Sequence, residues 1–277
     1  MKRTPVIGVF DSGVGGLTVL AALLKQASAA DYLYLGDTAR LPYGSKSQAT
    51  VARYAVSSAH FLVEQGAEAL VIACNTASAL ALDALRMAVD VPVIGVIETG
   101  ATAAQQSSET KDVLVIATAA TVESHAYTAA CRERGLRALE KACPLLVPLV
   151  EEGWIDHPVT RQIAEIYLDD LLAHAAAAGM TAETLVLGCT HYPLLRTVIE
   201  NILREHASGH TVRVIDSAHV TAVQVAARLA LDSSAQRDPS VRFYATDSVT
   251  KFRALGSRFL GRSIDGVELV DLDRISI

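Results

Sequence analysis

Disulfides cannot be what holds this sequence together. It has four cysteines in 277 residues (Cys74, Cys131, Cys143 and Cys189), and no two of them form a C-x-x-C pair. That pattern argues against a disulfide scaffold, a zinc ribbon and a thioredoxin-type motif. Basic charge is also scarce. Lys and Arg total 24 against 30 Asp and Glu, a formal net charge of −6, and the cations are scattered. No basic surface is available to attract a nucleic acid. No apolar run reaches the roughly 18 residues that span a bilayer. The run after the charged N-terminus, Val6 to Phe10, stops at Asp11 and is too short for a secretory signal. A nucleotide loop is missing too. Gly13-Val-Gly-Gly16 lacks the Lys-Ser/Thr of a P-loop and the third-glycine spacing of a dinucleotide site. The expectation is a cytoplasmic chain with neither nucleic acid nor membrane as partner.

What is present is apolar and periodic. Hydrophobic residues make up 51% of the chain, enough for one large core or two modest ones, and two domains are expected. Apolar runs read as strands at Val6–Phe10, Tyr32–Leu35, Leu70–Ala73, Val93–Ile97 and Val113–Ile116. Further ones follow at Leu146–Val150, Leu185–Leu187, Val212–Ile215, Val241–Tyr244 and Val267–Val270. Helical segments separate them. One is opened by Ser45-Lys-Ser-Gln48 as a capping box and closed by Gly66; another runs from Val159 to Ala178 and stops at Gly179. Strands that are apolar throughout, alternating with helices, predict an α/β fold of mostly parallel sheets covered on both faces.

In such sheets reactive groups collect at the carboxyl ends of the strands. Asp11, Cys74, Thr118 and Cys189 all fall there. Cys74 follows Asp11 by 63 residues, and Cys189 follows Thr118 by 71. This spacing predicts two similar α/β domains facing each other across a central cleft. One comprises residues 1–98 and 211–277 with Asp11 and Cys74; the other comprises residues 99–210 with Thr118 and Cys189.

Two stretches carry the chemistry. Ala69-Leu-Val-Ile-Ala-Cys-Asn-Thr-Ala-Ser-Ala79 and Thr184-Leu-Val-Leu-Gly-Cys-Thr-His-Tyr-Pro-Leu194 share one plan: apolar strand, Cys, polar residues, helix. A lone strand-end cysteine is usually structural; Cys131, in a polar helical context, and Cys143, in a loop before Pro144, read as incidental. A matched pair suits inversion of a carbon stereocentre, which needs a base on one face and an acid on the other. A thiol, with an ordinary pKa near 8.5, can serve as either. Asp11 in the first half and His191 in the second are candidates to bias ionisation, and a helix N-terminus after each cysteine would favour the thiolate. With no arginine beside the cysteines, an anionic substrate would be held by neutral donors such as backbone N–H groups, hydroxyls and amides.

Ile7-Gly-Val-Phe-Asp-Ser-Gly-Val-Gly-Gly-Leu-Thr18, Tyr34-Leu-Gly-Asp-Thr-Ala-Arg-Leu-Pro-Tyr-Gly44, Ala73-Cys-Asn-Thr76 and Gly188-Cys-Thr-His-Tyr-Pro-Leu194 closely resemble the glutamate racemase family. Weaker matches are Thr118-x-x-Thr-x-x-Ser124, Val147-Pro-Leu-Val-Glu151 and Phe243-Tyr-Ala-Thr246. The resemblance implies a cofactor-independent, metal-free, two-base racemase that interconverts L- and D-glutamate, the D form supplying cell-wall peptidoglycan. It implies that Cys74 exchanges the α-proton of bound D-glutamate with help from Asp11, and that Cys189 acts on the L face with help from His191. Ser12, Asn75, Thr76 and Thr190 would hold the α-amino and carboxylate groups, with Thr118 and Thr121 adding hydroxyls. Pro42, Tyr43 and Gly44 would take the side-chain carboxylate through the loop backbone. Glu151, or its neighbour Glu152, would line the pocket. A homodimer is implied, as is independence of a cell-wall precursor activator, since the long N-terminal extension of activator-dependent relatives is not seen.

Three other readings remain open. One is a racemase for aspartate. Another is a hydrolase with Cys189 as nucleophile and His191 as base, in which Cys74 is a bystander. The third is an amino-acid sensor on the same two-lobed plan. A metal site on Cys74, Cys189 and His191 lacks a fourth ligand at sensible spacing.

Overall fold

Among the described residues strands alternate with helices, three of the connections holding two α-helices. The computed structural model describes residues 4–206, 211–232 and 237–272. It begins with β1 (Val6–Asp11), α1 (Leu17–Gln26), β2 (Asp31–Gly36), α2 (Gln48–Glu64) and β3 (Ala69–Ile72). Next come α3 (Asn75–Leu80), α4 (Leu82–Ala88), β4 (Val93–Gly95) and α5 (Val96–Ser107). The middle of the chain holds β5 (Asp112–Ala117), α6 (Ala119–Glu123), α7 (Ala126–Glu133), β6 (Arg137–Ala142) and α8 (Leu146–Glu151). Then follow α9 (Pro158–Ala177), β7 (Thr184–Gly188), α10 (Arg196–His206) and β8 (Arg213–Asp216). The last elements are α11 (Ser217–Arg228), β9 (Val241–Ala245), α12 (Val249–Leu260) and β10 (Glu268–Leu269). None of the described helices is long and apolar enough to cross a membrane.

Two compact units result: Met1–Val96 with Ala218–Ile277, and Ile97–Ser217. Each holds one all-parallel sheet, in the order β10-β9-β2-β1-β3-β4 in the first and β6-β5-β7-β8 in the second. The central strands β1, β3, β5 and β7 are buried along nearly their whole length, as a sheet covered on both faces requires. Packing is close. A Cβ at Gly8 of β1 would stand 2.7 Å from Leu70 Cδ2. Leu70 is itself fully buried, a position where truncation to Ala costs about 2–5 kcal/mol.

The structure departs from the sequence-based expectations in five places. The domain boundaries fall at 96/97 and 217/218 rather than 98/99 and 210/211, because β8 pairs with β7 and so belongs to the second unit. Leu146–Val150 is helix, not strand: Leu146 and Val150, four apart, are the buried pair, while Leu145 is exposed. The strand beside β5 is instead β6, Arg-Ala-Leu-Glu-Lys-Ala, a sheet edge whose partly exposed polar residues hide it from an apolar-run search. The strand expected over Val93–Ile97 stops at Gly95, and α5 starts at Val96. The capping residue of α2 is Ser47, whose hydroxyl accepts from Thr50 N–H at 3.4 Å; Ser45 closes a 3₁₀ turn, Tyr43–Ser45.

Candidate active site

In the first unit, β1 and β3 lie side by side with Phe10 opposite Ile72, which brings Asp11, Ser12 and Cys74 together at the sheet end. Cys74 is 5% exposed and caps α3: its Sγ accepts from Ala77 N–H at 3.5 Å and lies 3.5 Å from Ser12 Oγ. The N–H and the Ser12 contact favour the thiolate, but they do not win. Burial first and the Asp11 carboxylate second push the thiol up to about 12. The N–H at the start of α3 thus acts in the expected direction, while Asp11 biases Cys74 toward the thiol. Asp11 is itself buried and accepts from Gly13 N–H at 2.9 Å through Oδ2. The glycine run has a packing reason: a Cβ on Gly16 would sit 2.6 Å from Asp11 Cβ and 2.8 Å from Ala73 Cβ. Asn75 and Thr76, the next residues of α3, are buried beside it.

The loop after β2 is held by a carboxylate that the sequence reading passed over. Asp37 is fully buried and accepts from Arg40 Nε (2.8 and 3.0 Å), Tyr43 Oη (2.5 Å) and Thr246 Oγ1 (2.9 Å). Tyr43 buries its ring against Phe10 and Tyr54, while Pro42 and Gly44 on either side are exposed or partly so. In sequence Asp37 looks like one polar residue in a turn-rich loop. The available signal was its place immediately after β2, one residue beyond the register position of Asp11, which pairs with Gly36.

In the second unit, Ala117 of β5 lies opposite Gly188 of β7, setting Thr118 beside Cys189. Thr118 and Thr121 hydroxyls are 2.9 Å apart. Cys189, Thr190 and His191 are all buried. The Cys189 Sγ is 3.9 Å from His191 Nδ1, and His191 Nε2 is 3.2 Å from Glu151 Oε1. A carboxylate can only accept, so when Nε2 donates to Glu151, Nδ1 is the ring nitrogen facing the thiol. Glu151, at the end of α8, is thus the glutamate that reaches the site residues; Glu152 is its exposed C-cap. Tyr192 underpins the sheet end, its hydroxyl donating to Cys143 O at 2.8 Å and Ala117 O at 3.1 Å. The helix after Cys189 is less direct than expected, because a 3₁₀ turn, Tyr192–Leu195, precedes α10.

Among the described residues, the cluster close enough to hold a metal ion is Glu165, Glu205 and His206. It includes neither strand-end cysteine. Its members already have other partners, Arg161 for Glu205 and Asp169 for His206.

Two parallel-sheet units, each ending a central strand in a buried thiol, define a class of α/β enzymes, and comparison with known proteins names it. Residues 7–225 match the model of the Asp/Glu/hydantoin racemase family. This chain belongs to that family. It is 52% identical to a glutamate racemase of Koribacter versatilis (strain Ellin345), with 98% of this chain and 99% of the relative covered. Among solved structures, glutamate racemase from Francisella tularensis subsp. tularensis SCHU S4 in complex with D-glutamate matches with a TM-score of 0.84 at 35% identity, covering 99% of each chain. Glutamate racemase from Thermus thermophilus in complex with β-chloro-D-alanine matches with a TM-score of 0.81 at 44% identity, covering 98% of each.

Proposed function

We propose that this chain is a cofactor-independent glutamate racemase that works with two thiol bases and supplies D-glutamate for peptidoglycan. One observation carries the reading. Cys74 and Cys189 leave topologically equivalent strands, and each has its own proton partner at hand, Asp11 or His191. Near-full-length similarity to proteins named glutamate racemase supports the choice of substrate.

The proton inventory closes without an added reagent. Cys189 as thiolate takes the α-proton of L-glutamate, leaving a carbanion at Cα, and the Cys74 thiol delivers its proton to the opposite face, giving D-glutamate. The enzyme is left with Cys189 protonated and Cys74 ionised, which is the form that converts D back to L. Burial and Asp11 hold Cys74 protonated, so the resting enzyme has its acid in place for L-glutamate. In the D direction Cys74 must ionise. The substrate ammonium, brought beside Asp11, offsets the negative charge that opposes ionisation. A thiolate of such high proton affinity is also the stronger base toward a weakly acidic C–H. Ser12, Asn75, Thr76 and Thr190, with the Thr118–Thr121 pair, would hold the α-groups; Pro42, Tyr43 and Gly44 would take the side-chain carboxylate.

The chain Cys189–His191–Glu151 also has the order of a hydrolase thiol, imidazole and carboxylate, and the test separates the two. Purified protein treated with chelator is incubated with L-glutamate in D₂O without cofactor, and Cα–H loss by NMR is followed together with optical rotation. Exchange with racemisation, abolished in both Cys74→Ser and Cys189→Ser, supports the proposal. Activity on aspartate alone would move the substrate. An active Cys74→Ser would sink the two-base mechanism.

A further inference from the structure

We propose that Thr246, acting through Asp37, is a positioning residue for the Pro42–Gly44 segment and so sets affinity for the substrate's side-chain carboxylate. This inference rests on the proposed role of that segment.

Thr246 leaves the end of β9 and belongs to a motif, Phe243-Tyr-Ala-Thr246, that the reaction itself does not use. Its hydroxyl donates to Asp37 Oδ1 at 2.9 Å and accepts from Ala39 N–H at 2.9 Å. One residue on, Asp247 N–H donates to Thr38 Oγ1 at 2.9 Å, and that hydroxyl donates back to Asp247 O at 2.6 Å. Residues more than 200 positions apart in sequence are thus stitched together at the start of the loop. Asp37 passes the constraint on, because its other oxygen accepts the Tyr43 hydroxyl at 2.5 Å. The Tyr43 ring is locked in the core, so the position of Asp37 fixes where the backbone beside Tyr43 presents its groups. Arg40 braces the same carboxylate while its guanidinium lies 4.5 Å over the Tyr54 ring. A buried carboxylate keeps one geometry only while its donors stay in place, and Thr246 is the donor supplied from outside the loop.

No atom of Thr246 is assigned a contact with the reacting carbon. Its loss should therefore weaken substrate and transition state alike, raising KM and sparing kcat. The experiment measures both constants for L- and D-glutamate in wild type, Thr246→Val, Thr246→Ser, Asp37→Asn and the double variant Asp37→Asn/Thr246→Val. Loss of one hydrogen bond to a charged group predicts KM up about tenfold in Thr246→Val. The kcat should stay within about twofold, with Thr246→Ser near wild type. In the double variant, Thr246→Val should add little to Asp37→Asn, since the two act as one unit. The inference is overturned if Thr246→Val leaves KM unchanged, if kcat falls instead, if Ser fails to rescue, or if the two substitutions add in full. Wild-type exchange is read first. A wild type that exchanges no glutamate α-proton overturns the proposed function and this inference together, whereas an active wild type with an indifferent Thr246 overturns this inference alone.

Discussion

The two units share a frame and differ in their proton chemistry. Taking strands in chain order, β2-β1-β3-β4 and β6-β5-β7-β8 are the same sequence of neighbours. In both, the thiol follows the third strand and a hydroxyl residue follows the first, Ser12 in one unit and Thr118 in the other. Register makes the match specific and also shows where it stops. Ser12 and Thr118 stand beside the cysteines, so Asp11 corresponds to Ala117, not to Thr118. At the end of its first strand the second unit has Ala117 where the first unit has an acid. It supplies an imidazole from the segment after the thiol and a carboxylate from α8. The sheet determines where each thiol stands, and its neighbours come from a strand end in one unit and from the following segment and α8 in the other.

The harshest way to break the comparison is to remove either thiol. Replacing Cys74 or Cys189 by Ser should lower racemisation by about 10³-fold, the order expected when an acid–base group is lost. The two enantiomers have equal free energies, so kcat/KM must fall equally in both directions whichever thiol is removed. A variant that loses one direction only would mean that something besides racemisation is being measured.

A gentler change tests the difference between the units. The Asp11 carboxylate raises the proton affinity of Cys74, so Asp11→Asn should lower it and expose more thiolate at pH 8. Alkylation of Cys74 by iodoacetamide, followed by peptide mass spectrometry, should then run faster than in wild type. In wild type the rate should climb about tenfold per pH unit up to pH 10 without a plateau, because the thiol titrates only near 12. Slower labelling in Asp11→Asn would show that the carboxylate acts through position rather than charge. In the second unit, Glu151→Gln should lower kcat by about tenfold, the small end of an orienting group's effect. Glu152→Gln should be indistinguishable from wild type. Equal losses from both would remove the imidazole–carboxylate pair from the account.

These variants also show what the sequence could disclose. Both cysteines and Asp11 were legible as candidates because each sits where an apolar strand ends, His191 through its place two residues after Cys189, and the α/β class was legible because those strands are apolar on both faces. Glu151 and Glu152 could not be told apart, since only the turn of α8 decides which one meets His191. Asp37 and Thr246 were invisible as a pair: a hydrogen bond across more than 200 residues leaves no local pattern. Strand β6 is hidden for the opposite reason: at the sheet edge its charged residues stay partly exposed and interrupt any apolar run.

The smallest effects should come from the tyrosines that pin the two sheet ends, and they sharpen the comparison most. Tyr34 donates its hydroxyl proton to Gly13 O at 3.1 Å, behind Asp11; Tyr192 shares its one proton between Cys143 O at 2.8 Å and Ala117 O at 3.1 Å, behind Cys189. Ala117 O also accepts from Cys143 N–H and Cys143 O from Leu146 N–H, so losing the Tyr192 hydroxyl weakens the bonding of these carbonyls without leaving them unmet. Each change removes one donated proton, so Tyr34→Phe and Tyr192→Phe should each cost about 1 kcal/mol. Hydrogen–deuterium exchange reads the two units separately, which a single unfolding curve cannot do for a chain of two compact units. Protection should fall at Asp37 N–H, bonded to Asp11 O, in the first variant and at Cys143 N–H, bonded to Ala117 O, in the second. If Tyr192→Phe proved the milder change, the second sheet end would be held by its backbone pairing rather than by the hydroxyl, and the two units would differ in architecture as well as in proton chemistry.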